Sequence, residues 1–423
     1  MPMRTIDDPP VGAAISFRAL TSSPELQEAA RRSMMSRARP GRRRAGARAV
    51  VFGAALATLV AASAGSTAET TRALAVSGLD PVLLVGGQEV AGDPLLAVVH
   101  AGLLYRFDSD RTRRAFVAEP GRFAAQLGGA CARMGAGVDG QPDLFAVEGG
   151  RLYLFGTEQC RDAFLEHPER YLLPPLPPLE PTGEERRAAR ELLEKAAAAL
   201  SNRPLRRLAG YRVVGAVERG AGATAFELWL SLDGAVWRKR SIGGEVSVEI
   251  WDGSTGALSS RGGTGALSEP ARIELLEEAA RFDALTLLRG LDLERLTATV
   301  EVPDEPGPTR LVRVELPRGA GAGTGLAEGA AEQVVLEIDR HSGRVTSLHF
   351  RGRGPGGRAG WITRRFDDFR AAGELFVPFR REDTFEGRDE PFQVTRIERL
   401  DPERLDPGRL SRELPVPSPE NGR

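Results

Sequence analysis

Tyr105-Arg106-Phe107-Asp108-Ser109, followed by Arg113, Ala115, Phe116, Pro120 and Arg122, recurs as Tyr153-Leu154-Phe155-Gly156-Thr157, followed by Arg161, Ala163, Phe164, Pro168 and Arg170. The offset is a constant 48 residues, and the preceding turn shares it, with Gly102 and Leu104 mapping onto Gly150 and Leu152. Self-similarity at a fixed offset marks a duplicated supersecondary unit. Each copy reads as a strand ending in an aromatic alternation, a polar turn, and a helix that turns Ala-Phe inward and stops before a proline. Asp108, Ser109 and Thr157 stand where helix N-caps belong.

At 423 residues the chain is too long for one ordinary core, so two or three domains are expected. Hydrophobic residues make up 41% and charged residues 27%, the balance of a globular protein. Charge is unevenly placed. Residues 1–68 hold 10 Arg against 4 Asp and Glu, so the remainder of the 57 basic and 58 acidic residues is 47 and 54, a net of −7. An acidic body argues against nucleic acid as a partner, because that binding needs clustered cations to neutralise phosphates.

The basic residues of the N-terminal part lie mostly in Met34–Arg48, which carries six arginines and no acid. The apolar run Ala49–Ala64 follows, with Ala62-Ser63-Ala64 or Ser66-Thr67-Ala68 to close it. This is the order of a secretory signal peptide, expected over 34–68 with cleavage near Ala64 or Ala68. At ~1.5 Å per residue the run covers roughly 24 Å, short of the ~30 Å hydrocarbon core, so cleavage is expected rather than a permanent anchor. Met34 or Met35 is a better start than Met1, which leaves 1–33 as an extension without structure. The expected location is the periplasm or the exterior, with no stable membrane span after cleavage.

Leu172 to Gly183 carries five prolines and reads as a stiff linker, 173–183, between the duplicated module and a second domain. That domain opens with a helix over Glu184–Leu200, with Ala189, Leu192, Leu193 and Ala197 on one face. Strands follow at Tyr211–Val217, Ala225–Leu230, Ala235–Arg240 and Glu245–Trp251, then a helical stretch over Arg272–Leu288. Strands resume at Ala298–Val302, Arg310–Leu316, Val334–Asp339, Arg344–Arg351, Trp361–Phe369, Glu374–Glu382 and Gln393–Leu400. The Gly-rich stretches Gly319–Gly329 and Gly352–Gly360 read as long flexible hairpin loops, and 401–423 as a disordered tail. The fold class is α+β: a small duplicated module, then an antiparallel sheet with too many strands to lie flat, curled into a half-barrel with packed helices.

Gly78 to Val82, Tyr105 to Ser109, Ala115 to Phe123 and Gly128 to Ala132 match the G-[YL]-D-P-V, Y-x-F-x-S, A-F-x-x-x-P-x-[KR]-[YF] and G-G-x-C-A motifs of the YHS-domain family of exported bacterial proteins. Residues 78–172 resemble that family. The second copy resembles the ending of its metal-associated members, keeping Cys160, Phe164, Pro168 and Tyr171 but with Gly156 in place of the first cysteine. Residues 184–400 resemble, on the weaker motifs Trp251-Asp252-Gly253, Leu336–Val345 and Phe366–Pro378, the periplasmic lipoprotein carriers and the lipoprotein-sorting-like proteins related to them. That resemblance implies a concave apolar face suited to a lipid or other greasy ligand. Trp229, Trp237, Trp251 and Trp361 are the residues expected to line it; as strand aromatics they are equally core residues, and the cavity itself stands against a filled core.

Cys131 and Cys160 are the only cysteines. In an oxidising compartment they form a disulfide, or they remain buried thiols, or they ligate a soft metal, Cu or Zn. A four-ligand metal site would need Cys131, Cys160, His100 and His167, although His167 lies two helical turns from Cys160. No nucleophile elbow, zinc-protease or phosphate-loop motif occurs, so no enzyme is expected. Asp367-Asp368 and Glu277-Glu278 read as solvated carboxylates. The sequence thus points to an exported two-domain binding protein with an apolar ligand or an envelope protein as partner. Its alternatives are an envelope metal-handling or redox protein using Cys131 and Cys160, and a purely structural or interaction protein.

Overall fold

Both copies of the repeat fold as the same unit. In the first, β1 (Asp93–His100) pairs antiparallel with β2 (Leu103–Phe107), and in the second β5 (Gln141–Glu148) pairs with β6 (Arg151–Phe155). Ala101-Gly102 and Gly149-Gly150 make the tight turns with positive φ at both positions, the geometry that suits the right-handed twist of a hairpin. Alternation then places Tyr105 and Phe107 against Phe116, with ring centroids 4.8 and 5.1 Å apart, and Tyr153 and Phe155 against Phe164 at 5.3 and 5.1 Å. Ser109 caps α2 (Asp110–Ala118) in a capping box with Thr112, and Thr157 caps α4 (Glu158–Glu166). α1 (Pro81–Val85), capped by Asp80, precedes β1, and α3 (Pro120–Phe123) follows α2.

The structure is a computed structural model that describes residues 73–402 apart from 174–175, 221, 232–233, 261–262, 302–306 and 317–331. The N-terminal extension, the signal peptide, the Gly319–Gly329 loop and nearly all of the expected tail lie outside the described residues. Asp401 and Pro402 close a strand instead. Among the described residues no helix is long and apolar enough to cross a membrane.

The repeat reaches further than the 48-residue match. Leu74 bridges Leu104 in parallel, and Ala125 bridges Leu152 in the same way. Each arm continues through two residues with left-handed backbone, Val76-Ser77 and Leu127-Gly128. On these arms the offset is 51, which sets Asp80 over Cys131, while the hairpin and helix keep 48, which sets Thr112 over Cys160. Leu152 and Leu154 of the second copy pack into the core of the first, and the Tyr105 hydroxyl accepts from the Ala125 N–H at 3.0 Å, so the copies share one interior.

The linker is pinned rather than free. Leu179 N–H donates to Glu315 Oε2 at 3.0 Å and the Gln333 amide donates to the Pro177 carbonyl at 2.6 Å. Thr182 and Glu185 then form a capping box that starts α5 (Gly183–Leu200). Its buried residues are Ala189, Leu193, Ala196 and Leu200, with Leu192 and Ala197 flanking them, because a period of 3.6 drifts the apolar stripe along a long helix.

Strands β7 (Gly210–Arg219), β8 (Gly222–Ser231), β9 (Val236–Ile242), β10 (Glu245–Trp251), β11 (Gly256–Ser260) and β12 (Gly263–Ala266) run as an antiparallel meander. So do β13 (Thr297–Glu301), β14 (Thr309–Leu316), β15 (Glu332–Asp339), β16 (Val345–Arg353), β17 (Ala359–Ala372), β18 (Leu375–Phe385) and β19 (Gln393–Pro402). Pairing of β19 with β7 joins them into one open antiparallel sheet with β12 and β13 at its edges. The expected single helix is two, α6 (Glu269–Ala280) and α7 (Ala284–Gly290), because Asp283 takes an extended backbone and caps the second through the Thr286 N–H at 2.8 Å. The Gly352–Gly360 stretch is no long loop: Gly352 pairs with Gly360, and only a single turn at Pro355–Gly357 separates the strands.

α5, α6 and α7 lie on one face of the sheet. Leu193, Leu275 and Leu285 are fully buried there among Val213, Leu228, Val312, Leu336 and Ile338. Burial of each such side chain stabilises by about 1.5–3 kcal/mol. The duplicated module docks on the same region through α6, which packs against β4 (Gly135–Asp139) and the turn at Gln126–Gly129.

Candidate functional site

The chemistry of the second copy gathers where its short strand β3 (Ala130–Cys131) meets the start of α4. Cys131 lies beside Leu154 in parallel pairing. Cys160 is the third residue of α4, and its N–H donates to Thr157 Oγ1 at 3.2 Å. The fold thereby brings together two thiols 29 residues apart. Both are unpaired and buried, in one cluster with Phe155, Phe164 and Tyr171. Gly156, which replaces the motif cysteine, is closely packed: a Cβ would stand 3.0 Å from Val138 and 3.8 Å from Cys131 Cβ. In the first copy the matching positions hold Asp80, which accepts from the Val82, Leu83 and Asp108 N–H groups, and the capping-box Thr112. One copy thus uses the position for backbone hydrogen bonds and the other for sulfur.

Charge around the sulfurs is asymmetric. Arg133 Nη1 donates to Cys160 Sγ at 3.8 Å. Burial pushes the Cys160 thiol up, but Thr157, Arg133 and the nearby Cys131 outweigh it and hold it below its ordinary value. Arg353 approaches from the end of β16. Burial pushes its guanidinium down to about 10, against the pull of Cys131, Glu277 and Tyr153. Arg353 donates to the carbonyls of Arg133 at 3.3 Å and Gly357 at 2.9 Å, so it ties the thiol loop to the sheet. Ser268 Oγ adds a hydrogen bond to Asp139 at 3.0 Å. Gly357, at φ +78°, lies so close that a Cβ would fall 2.0 Å from the Arg133 carbonyl oxygen.

The histidines of the expected metal set are elsewhere. His100 packs edge-on to Phe116 at 5.8 Å, and His167 caps the end of α4 with Nδ1 3.2 Å from Glu169. Among the described residues no group of three His, Cys, Asp or Glu side chains could hold a metal. Two sulfurs do not make the four-ligand set that a closed structural zinc site requires.

The four tryptophans are dispersed over the sheet. Trp229 and Trp237 pair across β8 and β9 and pack with Ile250 in a small cluster separate from the helix-covered core. Trp251 belongs to the core's margin beneath Arg272, 5.1 Å from its ring centroid, and Trp361 lies at the β16–β17 turn with its N–H bonded to Glu386. A groove of about 510 Å³ does occur, but Arg186, Arg187, Arg190, Arg295 and Leu293 line it, and none of the four tryptophans does.

Beneath α6 lies a network that sequence reading missed. Arg238, 1% exposed, donates to Glu249 at 2.7 and 2.9 Å and to Glu278, with Glu274 at 3.7 Å. Arg281 bridges Glu332 and Glu277, and Arg364 grips Asp383 at 2.7 and 2.8 Å. Glu277 and Glu278 are therefore not a solvated pair. The signal was present: arginines stood at inward positions of alternating strands, opposite three glutamates on one helix. On β16 and its neighbours, Ser347 Oγ donates to Glu337 at 2.6 Å and contacts His349 Nε2 at 3.1 Å, while His349 Nδ1 meets Thr363 at 3.0 Å. The carboxylate sits on the serine rather than on the imidazole, and Ser347 is 1% exposed, so this is not an activated nucleophile.

No protein-family model matches the chain, and no curated protein does. Among solved structures, it is similar to a DUF1329-family protein from Desulfovibrio piger at 10% identity, over 53% of this chain and 94% of that one, with a TM-score of 0.33. It is similar to a LolA-superfamily protein from Nitrosomonas europaea at 12% identity, over 54% and 97%, with a TM-score of 0.28. Similarity to the Pseudomonas aeruginosa MucA/MucB complex is 13% identity, over 53% and 60%, with a TM-score of 0.19.

Proposed function

We propose that this chain is an exported two-part binding protein of the bacterial envelope, and that it engages a protein partner on its outer surfaces rather than an apolar ligand inside the sheet. The observation that carries the reading is that the chain's own helices occupy the sheet face a greasy ligand would need. Leu193, Leu275 and Leu285 fill it, and the Arg238 and Arg364 networks add charge that an acyl chain would leave uncompensated. On the opposite face Trp229, Trp237 and Ile250 are themselves buried, and Val246, 44% exposed on β10, offers a partner an apolar contact at the margin of that cluster. The basic and apolar run before residue 69 supports export, and the YHS-like motifs of 78–172 support an envelope setting for the module.

The test uses the full chain, expressed with its export segment and purified from the periplasm. Organic extraction and titration with a fluorescent fatty acid are expected to give no lipid at one per chain and no saturable binding. A photo-crosslinking residue at Val246 is expected to capture one envelope protein, and the same residue at exposed Glu191 is not. One bound lipid per chain, or equal capture from both positions, overturns the proposal.

A further inference from the structure

Cys131 and Cys160 are the one chemically reactive pair that the binding role leaves unused, and their setting is built rather than incidental. Sequence positions 29 apart converge through a two-residue strand and a capped helix start. Arg133 is aimed at one sulfur, and the equivalent pair in the sister copy is Asp80 and Thr112. We propose that Cys131 and Cys160 form a redox couple that exchanges with a disulfide-bearing substrate, with Cys160 as the attacking thiol and Arg133 as its positioning residue. This goes beyond the binding role and stands or falls apart from it.

The exchange balances. The Cys160 thiolate attacks one sulfur of a substrate disulfide, R–S–S–R, forming a mixed disulfide and releasing one thiolate. Cys131 then gives up its proton and attacks the Cys160 sulfur of that mixed disulfide. The product is a Cys131–Cys160 disulfide and a second thiolate. The protein loses two electrons, the substrate disulfide gains them, and the two thiol protons end on the two released thiols. Cys160 is the attacking group because Arg133 and Thr157 favour its thiolate and because it is the more exposed sulfur residue, 6% against 0% for Cys131. Cys131, deeper and in the same buried cluster as Cys160, is placed to resolve.

The test places the native full chain in glutathione disulfide and glutathione mixtures, quenches in acid and measures intact mass. Wild type is expected to lose two hydrogens and both free thiols without retaining glutathione. C131S is expected to hold one glutathione, and C160S to react at least about tenfold more slowly, because Cys131, 0% exposed, is the harder sulfur for glutathione disulfide to reach. R133Q in the C131S background is expected to slow adduct formation several-fold and to move the pH at half-maximal rate upward, a change that a purely structural role does not produce. Two free thiols persisting in native wild type, while the urea-unfolded chain oxidises in the same mixture, overturns the proposal. Equal reactivity of C131S and C160S overturns the assignment of Cys160.

Discussion

Replacing Asp283 by Asn removes one charge from the most enclosed ion pair of the sheet while keeping the helix cap. Asp283 is 0% exposed; it caps α7 through the Thr286 N–H at 2.8 Å, accepts from the Tyr211 hydroxyl at 3.0 Å, and faces Arg381 Nη2 at 3.4 Å. Arg381 is 2% exposed, its guanidinium stacks 3.6 Å from the Phe282 ring centroid, and its Nε and Nη1 find no partner among the described residues. Burial already pushes Arg381 down to about 10, with Asp283 the main group holding it up. Asn is as good an N-cap as Asp, so the capping contribution survives and the charge alone is lost. Breaking a buried pair from one side costs about 3–5 kcal/mol; Asn still offers a dipole, so D283N is expected at the low end, about 3 kcal/mol. With a urea slope of about 3 kcal/mol/M the midpoint falls by about 1 M, read by tryptophan fluorescence. Removing the cation as well, in D283N/R381M, is expected to bring stability back to within about 1 kcal/mol of wild type, since an apolar replacement of a buried pair is near neutral. A D283N midpoint within about 0.2 M of wild type, or a double variant no better than the single, refutes the reasoning.

Two further outcomes follow from the same physics. Burial pushes the Glu277 carboxyl from the ordinary 4.5 up to about 7, so between those values the folded chain binds more protons than the unfolded one and this group's contribution to stability falls as pH rises, levelling off above 7. That loss is on the order of 3 kcal/mol; E277Q is expected to flatten the decline between pH 5 and 7 and to match or exceed wild type at pH 8 in thermal melts. Gly357→Ala is expected to destabilise by at least about 2 kcal/mol, read as a fall in the urea midpoint, because a Cβ at φ +78° meets the Arg133 carbonyl at 2.0 Å.

Much of the candidate site was readable only in part. Thr157 and Ser109 were legible as caps because an N-cap is a local matter of side-chain oxygen and helix start. Tyr105, Phe107, Tyr153 and Phe155 were legible as core because alternation on a hairpin is local too. The pairing of Cys131 with Cys160 was open in the sequence, and His100 and His167 were drawn toward them by residue type alone. The long apolar stretch over Arg272–Leu288 concealed a helix break at Asp283, since the same periodicity runs on both sides of it. Gly352–Gly360 looked flexible by composition, yet its glycines serve close approach to Phe385 and Arg133.

The sequence by itself determined the duplicated hairpin-helix unit, the linker and the antiparallel meander, because each follows from side-chain period, turn residues and caps within a few positions of one another. Tertiary structure alone decided which face the helices cover, and that buried arginines meet Glu274, Glu277 and Glu278 there. It also decided that the module clamps the sheet through Arg353 and Gly357, and that two distant thiols lie in one buried cluster. These are contacts between residues far apart in the chain, and their energy depends on distance and burial, which no local pattern encodes.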